Sequence, residues 1–570
     1  MRVTWLDINS SFSHASLALP AIHAAAGQSA AAEWTAVSAT VKDDVGTVAA
    51  RVVREEPDVL AAGVYLFTRE SVLRVVHRVK AILPACRVLL GGPEFLGDNS
   101  AFLHCEAAVT AVCRGDGEAA FGQWLQRLDQ PATWGTIPGL CWLDADGACR
   151  DNGLAVLDRW PELPPPTVSA FFDWSKPFVQ IETSRGCPHH CRFCTSCRFG
   201  QPRNRTLDCV RRELEICRRH DVHEVRVLDR TFNAEPDRAA ELLRLFLDEF
   251  PEMRFHLEIH PAFLNADLRA VLCTAPPGRL HLEVGLQTTC PVAYAACRRG
   301  GTPETSLDGL EFLCAYRQLA VHVDLLAGLP GLTLEHLLAD IRRVVLLAPD
   351  EIQLEILKIL PGTPFQAEAG ALGLAFAPDP PYEVLRTPQM STADLSTARH
   401  LSRLLDQYAN HPALRAVVHG TAARRPAFVI EFLQFLHQDG DGSPCSVPAA
   451  VGVSRGGPAA TALTGVPASL ETRFRRLHAF LVMQDNAAAT ELEVAWLNAG
   501  LSPARGLGHT EPWKAEIPAD AERIEGQDVL ARPGTHIWLL RCPGMLYWFV
   551  FDRSGARSRP ATIYRKAATD

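Results

Sequence analysis

Three cysteines set the chemistry of this chain. Cys187, Cys191 and Cys194 fall within Thr183-Ser184-Arg185-Gly186-Cys187-Pro188-His189-His190-Cys191-Arg192-Phe193-Cys194, a CxxxCxxC spacing that follows a strand-like run from Phe178 to Glu182. Iron–sulfur clusters are held by cysteine thiolates. Three thiolates on one tight loop hold three irons of a cubane and leave the fourth open to a small molecule. The competing chemistry is a structural zinc site, because Cys191, Cys194 and Cys197 also read as overlapping CxxC pairs. Zinc would need a second ligand pair at ribbon-like spacing, and Cys209 and Cys217 do not supply it. The strand–loop–helix context favours the cluster and leaves Cys197 a spare thiol.

The elements around the loop show how it would be positioned. Strands are predicted at Phe178–Glu182, Glu224–Leu228, Phe255–Ile259, Leu280–Leu286, Val321–Leu326 and Ile352–Leu360, alternating with helices at Cys209–Arg218, Arg238–Leu247, Thr305–Tyr316 and Leu334–Leu347. Six such βα units make a partial (β/α)6 barrel, whose active site belongs at the C-terminal strand ends. Loop and barrel together resemble the radical S-adenosylmethionine (SAM) superfamily. The resemblance implies that Cys187, Cys191 and Cys194 ligate a 4Fe-4S cluster and that Phe193 packs near the SAM adenine. It also implies that Asp229 meets the SAM amino acid, although the Asp229-Arg230-Thr231-Phe232-Asn233 segment has no GGE-like motif. Glu283, Gln287 and Thr288 would contact the ribose or methionine, and Leu329 and Pro361 the adenine. For each single carboxylate the alternative is a strand-end salt bridge.

The first 150 residues alternate in the same way, with strands predicted at Val3–Ile8, Val59–Leu66, Val88–Leu90 and Val109–Cys113 and helices near Ala15–Ala25, Ser71–Ile82 and Glu118–Leu128. Such a parallel sheet binds ligands beyond its strands' carboxyl ends. The loops there are Asn9-Ser10-Ser11-Phe12-Ser13-His14-Ala15-Ser16-Leu17, Phe67-Thr68-Arg69-Glu70, Gly91-Gly92-Pro93-Glu94 and Arg114-Gly115-Asp116-Gly117-Glu118. Glycine pairs let a flat, bulky ligand approach the backbone. GxGxxG is absent after the first strand, which argues against a dinucleotide. The four loops in order resemble the cobalamin-binding, Rossmann-like domain of cobalamin-dependent radical SAM enzymes. That implies cobalamin held by Ser10, Ser11, Ser16, Leu17, Gly91, Gly92, Pro93, Glu94, Gly115, Gly117 and Glu118. There is no DxHxxG motif to present a cobalt ligand, and His14 is expected to fix its loop by hydrogen bonding. Arg69 is expected at the lower face of the cobalt, where an always-protonated guanidinium would favour cob(I)alamin and make methylcobalamin a better methyl donor. The alternatives are ordinary Rossmann turns and a surface or phosphate-binding arginine.

Composition bounds the rest. The chain has 570 residues, 47% apolar and 21% charged, with a net charge of −9, so a globular protein of roughly three or four domains is expected. The acidic balance argues against a nucleic-acid enzyme, and no apolar run approaches the ~20 residues of a membrane span. The N-terminus enters a strand at once rather than forming a signal peptide. With 17 scattered cysteines, a reducing cytoplasm and a monomer are expected. The expected domains are 1–143, cobalamin-binding; 144–177, a linker containing Leu163-Pro164-Pro165-Pro166; 178–377, the barrel; and 378–570, an α+β domain capping the substrate. In the last, Leu401–Tyr408, Ala427–His437 and Thr472–Met483 have helical spacing, with Arg473, Arg475 and Arg476 as a solvated face. Gly440–Gly465 reads as loop, and His536–Phe551 as two strands around Pro543-Gly544, carrying Tyr547 and Trp548.

A cobalamin domain feeding a radical SAM barrel is the layout of cobalamin-dependent radical SAM methyltransferases. Chain length, the first loop, the Phe67–Glu70 segment and the variable C-terminal region most resemble the tryptophan 2-C-methyltransferases of thiopeptide antibiotic biosynthesis. The resemblance implies methylation of indole carbon 2 of L-tryptophan by two polar methyl transfers, from SAM to cobalamin and from cobalamin to the acceptor, with an electron donor to reduce the cofactors. Tyr294, Glu283, Asp324 and Glu355 are candidates for the indole base, and Glu283 or Glu258 for the open iron. Two rivals stay open: a radical methyltransferase or cyclase acting on an unactivated carbon, and a cofactor carrier without catalysis.

Overall fold

The computed structural model describes residues 1–26, 32–438, 468–503, 506–507, 510–513, 516–526, 535–542, 545–551, 560 and 562–568. The Gly440–Gly465 and Pro543-Gly544 expectations fall outside these. Two compact units are present, one of Met1–Leu337 with Ile356–Thr392 and one of Leu338–Glu355 with Ala393–Asp570.

The first unit begins with β1 (Arg2–Asn9), α1 (Ala18–Ala26), β2 (Glu33–Thr40), α2 (Val45–Arg54), β3 (Val59–Gly63), α3 (Arg69–Ile82), β4 (Arg87–Gly91), α4 (Ser100–Cys105), β5 (Ala111–Cys113), α5 (Gly117–Gln126), β6 (Leu140–Leu143) and β7 (Cys149–Asp151). They build a seven-stranded sheet of order β2-β1-β3-β4-β5-β6-β7. The ladders from β2 to β5 are parallel, and β6 and β7 add an antiparallel edge. Such a sheet is covered on both faces, so its strands are continuously apolar. On one face Leu6, Ile8, Leu60 and Leu90 pack with Val72, Val75 and Val79 of α3. On the other Val3, Trp5 and Leu89 pack with Leu19 of α1 and with Phe121 and Trp124 of α5. Unforeseen were β2, an edge strand with a half-exposed pattern, and the β6–β7 hairpin, whose second strand lies in the span expected to be linker.

The barrel follows as β8 (Val179–Ile181), a two-residue ribbon of β9 (Ser184–Arg185) and β10 (Arg203–Asn204), then α6 (Leu207–Arg219), β11 (Glu224–Val227), α7 (Pro236–Arg244), β12 (Arg254–Ile259), α8 (Ala266–Thr274), β13 (Leu280–Gln287), α9 (Pro291–Ala296), α10 (Pro303–Ala315), β14 (Ala320–Ala327), α11 (Leu334–Leu347) and β15 (Glu351–Ile356). The six-stranded sheet has order β15-β14-β13-β12-β11-β8, the consecutive order of a partial barrel. Helix starts are capped as sequence demands: Thr206 accepts from the Cys209 N–H, and Thr302 and Thr305 form a reciprocal capping box. Burial alternates along β12 and β13. Phe255, Leu257, Leu282 and Val284 are buried, while His256, Glu258, His281 and Glu283 occupy the opposite, less buried face. The inner face is therefore polar, the reverse of a packed core, and serves a site.

The second unit contains helices at Thr392–Leu404, Pro412–Arg424, Phe428–Gln438, Leu470–Gln484 and Asn486–Asn498 and a five-stranded antiparallel sheet. Trp548, considered for a pocket, is a core residue with Leu539, Val550 and Tyr564. Arg475 pairs with Glu471 at 3.0 Å. No helix among the described residues is long and apolar enough to cross a membrane.

Candidate active site

The thiol loop is held from below by one carboxylate. Asp229, two residues beyond β11, accepts hydrogen bonds from the Thr183 N–H at 2.7 Å, the Ser184 N–H at 3.0 Å and Ser184 Oγ at 2.7 Å. Expected to meet a ligand, Asp229 is instead fully used in anchoring the start of the loop. Beyond it Cys187 and Cys191 are buried and Cys194 is half-buried. Thr231 Oγ1 lies 3.5 Å from Cys187 Sγ, and Arg299 Nη1 donates to Cys191 Sγ at 3.9 Å. Burial pushes the Cys187 and Cys191 thiols up, so their ionisation has to be driven by a bound cation. A single zinc ion needs its donors converging on one point, and no three His, Cys, Asp or Glu side chains among the described residues do so. A cubane takes each thiolate on a different iron, and three cysteines on one anchored loop suit that donor set.

Above the loop opens a cavity of about 500 Å³ with two walls. One wall comes from the first sheet: Ser10, Ser16 and Leu17 after β1, Gly91, Gly92 and Pro93 after β4, and Gly115, Gly117 and Glu118 after β5. The other consists of Gln180, Glu182, Ser184, Arg185, Gly186, Thr195, Ser196 and Phe199 of the thiol-loop region, with Leu228 and Arg230 after β11. Gly92 has a φ of 103°, and a Cβ there would stand 2.7 Å from the Val64 carbonyl oxygen, so the loop requires glycine. Trp5, 3% exposed, also lines this cavity, and its indole N–H has no hydrogen-bond partner. A buried orphan donor costs about 1–3 kcal/mol, which a ligand with acceptor atoms would offset. A roomy, largely uncharged wall with an orphan donor fits a corrin. Ser11 faces an adjoining cavity of about 270 Å³ instead. His14 does what was expected of it: Nδ1 lies 2.9 Å from Ser11 Oγ, fixing the loop.

Arg69 and Glu94 do not line either cavity. Arg69 opens α3 and donates to Tyr382 Oη at 2.6 Å. Tyr382 in turn donates to Glu94 Oε2 at 2.6 Å, and Arg69 stands 3.6 Å from Glu94. Burial pushes the Glu94 carboxyl up, while Tyr382 and Arg69 pull it back. Arg69, expected at the cobalt's lower face, thus serves a triad that clamps the Gly91–Glu94 loop to the segment after the barrel. Of this segment it is Phe67 that lines the cavity, together with Tyr65 just before it, which shares a 3.1 Å hydrogen bond with Ser16.

A buried ion network stiffens the charged wall. Arg185 donates to Glu118 at 2.7 Å, Asp116 at 3.2 Å and Glu182 at 2.6 Å, and lies over the Trp160 ring. Arg203 adds a 2.6 Å pair to Asp116. The loop after β5 is thereby tied to the residue two before Cys187.

Deeper in the barrel, Glu283 accepts from or pairs with His256 Nε2 at 3.0 Å, which with neighbouring histidines holds its carboxyl down. Glu258 is different: burial, offset by Arg230, pushes its carboxyl up to about 7. Tyr294 is 4% exposed and its hydroxyl is spent on the Gly300 carbonyl and Ser306, so it does not reach the cavity. Asp324 lies 3.4 Å from His322, and Glu355 is on β15. Gln287, with a φ of 69°, ends β13. Its amide and the Arg299 guanidinium both crowd Gly285, beside Cys191. Phe193 is half-buried and Leu329 fully buried. The Leu360–Thr363 loop with Pro361 approaches both sides of the site: a Cβ on Gly362 would meet Leu96 at 2.6 Å, and the Gly362 carbonyl accepts from Arg198 at 3.2 Å. Burial and Arg299 keep His189 and His260 neutral, pushed down to about 4 and about 2. Arg185, Arg203, Arg230, Arg299, Tyr65 and Tyr382 were not foreseen. A charged residue directly before Gly186-Cys187 and another at an apolar strand's end are signals for Arg185 and Arg230; Tyr382 leaves none.

Residues 181–344 match the Radical SAM superfamily. The chain is 24% identical over 326 residues to an uncharacterized methyltransferase of Pyrococcus horikoshii, covering 55% of this chain and 70% of that protein. It is 28% identical over 196 residues to the cobalamin-dependent radical SAM methyltransferase TokK of Streptomyces tokunonensis, 32% of this chain and 28% of TokK. The match therefore spans less than a third of TokK's length. The fold resembles the radical S-adenosylmethionine methyltransferase TsrM of Kitasatospora setae, solved with cobalamin and a 4Fe-4S cluster and also with tryptophan substrate and a SAM analog. The TM-score is 0.55 at 18% identity in both, over 68% and 69% of this chain and 78% and 80% of that one.

Proposed function

We propose that this chain is a cobalamin- and SAM-dependent methyltransferase with a 4Fe-4S cluster, and that its acceptor is carbon 2 of the indole of L-tryptophan. The observation that carries the reading is the two-walled cavity, with a glycine-rich wall whose carboxylates Asp116 and Glu118 are paired with arginines, facing the anchored three-cysteine loop. Ser10, Ser16, Leu17, Gly91–Pro93, Gly115, Gly117 and Glu118 hold the corrin, and Cys187, Cys191 and Cys194 hold the cluster. When bound, the cobalt supplies a methyl carrier and the cluster an electron-transfer centre. Support for the acceptor is the similarity to TsrM, which binds tryptophan. Indole is itself a nucleophile, so the protein's task is to seat the ring, exclude water and take up one proton. Glu258 is assigned that proton: it sits on the polar face of β12 within electrostatic reach of the cavity-lining Arg230, and its carboxyl, raised to about 7, suits a general base at neutral pH, whereas Glu283 and Tyr294 are engaged elsewhere.

The test is anaerobic incubation of reconstituted protein with tryptophan, SAM, cobalamin and a reductant, followed by mass spectrometry. 2-Methyltryptophan with S-adenosylhomocysteine and no 5′-deoxyadenosine is expected. 5′-Deoxyadenosine formed with turnover would overturn the polar route, and methylation of a different compound would overturn the acceptor.

A further inference from the structure

Two arginines face the cavity, and they are bound very differently. Arg185 is saturated by Asp116, Glu118 and Glu182. Arg230 lines the same cavity and is exposed to it. The Arg230 carbonyl accepts from Thr231 Oγ1 at 2.7 Å. Its guanidinium has no hydrogen bond, ion pair or ring contact among the described residues. Glu258, Cys194, Glu182 and Tyr65 act on it only across space.

The backbone that carries Arg230 is pinned on both sides. Asp229 is locked to Thr183 and Ser184. On the other side, Thr231 touches Cys187, the Phe232 N–H donates to the Glu258 carbonyl at 2.8 Å, and the Asn233 side chain donates to the His260 carbonyl at 2.8 Å. A cation on a rigid base, turned into a cavity beside the thiol loop, is built to meet an anion rather than to stabilise the fold. A guanidinium presents a planar fork of donors that matches a carboxylate at two points.

We propose that Arg230 is the carboxylate receptor of this cavity, pairing with the carboxylate of an α-amino acid carried by the sulfonium methyl donor or by the methyl acceptor. The proposal rests on the methyl-transfer reading above, in which both reactants carry that group. It also accounts for the missing GGE-like motif after β11: with a cation there, this strand end binds the acidic end of an amino acid and not its ammonium.

The test uses the full chain loaded with cluster and cobalamin, as wild type, R230Q and R230K. Equilibrium binding is measured for SAM against decarboxylated SAM, and for L-tryptophan against tryptamine, with iron and corrin content as the control for folding. Wild type is expected to prefer one carboxylate-bearing partner over its decarboxylated analogue by about tenfold to a hundredfold, the scale of a hydrogen bond to a charged group. R230Q loses that preference and R230K, keeping charge without the fork, retains a small part of it. The pair that loses its preference names the source. If R230Q takes up less iron or corrin, R230K alone decides by the same criterion. Unchanged preferences in a fully loaded variant would overturn the proposal. A loaded wild type that binds the carboxylate but methylates no indole would overturn the methyl-transfer reading and leave the receptor standing.

Discussion

The two walls of the cavity are made from the same part, the C-terminal edge of a parallel sheet, and finished in opposite ways. The wall after β1, β4 and β5 is mostly small, hydroxylated and glycine-rich, and shapes itself to a large flat surface. The barrel wall carries Glu182, Arg185, Arg230 and the thiol loop. Topology puts both edges where ligands bind; side-chain choice decides what each can bind. The glycine-rich wall works mainly by shape, so its small residues tolerate change until they fill space. The charged wall works by fixed charge, so its residues fail when one partner of a pair is lost.

The comparison is broken most severely from the barrel side. Replacing Cys191 with alanine should remove the cluster and abolish turnover, read as loss of iron and of visible absorbance. Glu258→Gln should lower turnover by about a hundredfold or more, the usual range for a lost general base, and remove a pH dependence in which rate rises as pH climbs through about 7. The stability effect has the opposite sign: because burial raises the folded-state value above 4.5, Glu258 contributes stability at low pH that is lost as pH rises towards 7. The melting temperature of the apoprotein should fall over that window, and less so in Glu258→Gln. Arg185→Met should cost about 3–5 kcal/mol, the range for a buried ion pair broken from one side, since Asp116, Glu118 and Glu182 lose their shared partner; thermal unfolding measures it. Arg69→Leu has the smallest expected effect on function. It leaves Glu94 and Tyr382 without their cation, so stability falls, while the absorption spectrum of bound cobalamin stays as in wild type. A changed spectrum would return Arg69 to the cobalt.

Legibility followed local pattern. β1, β4, α3, α11 and the strands from β11 to β14 were visible because apolar period and loop chemistry agree there. Cys187, Cys191 and Cys194 were visible because spacing on one loop is a local property. β2 was missed because an edge strand lacks the continuous apolar run of its neighbours. Arg69 and Asp229 were found at the strand ends expected of them, but their protein partners were not, since Tyr382 lies more than three hundred residues from Arg69 and nothing local announces it. Arg230 was read as part of a segment, because whether a guanidinium is hydrogen-bonded is a tertiary property that no local pattern carries.

The central claim is that the glycine-rich wall holds a corrin beside the cluster. Titration of cluster-loaded protein with hydroxocobalamin, followed by absorbance after gel filtration, tests it directly in wild type and in Ser16→Trp, which fills the cavity from that wall. The account predicts one corrin retained per wild-type chain and none in Ser16→Trp, with iron content equal in the two. Corrin retained equally by both proteins, or by neither, would contradict it.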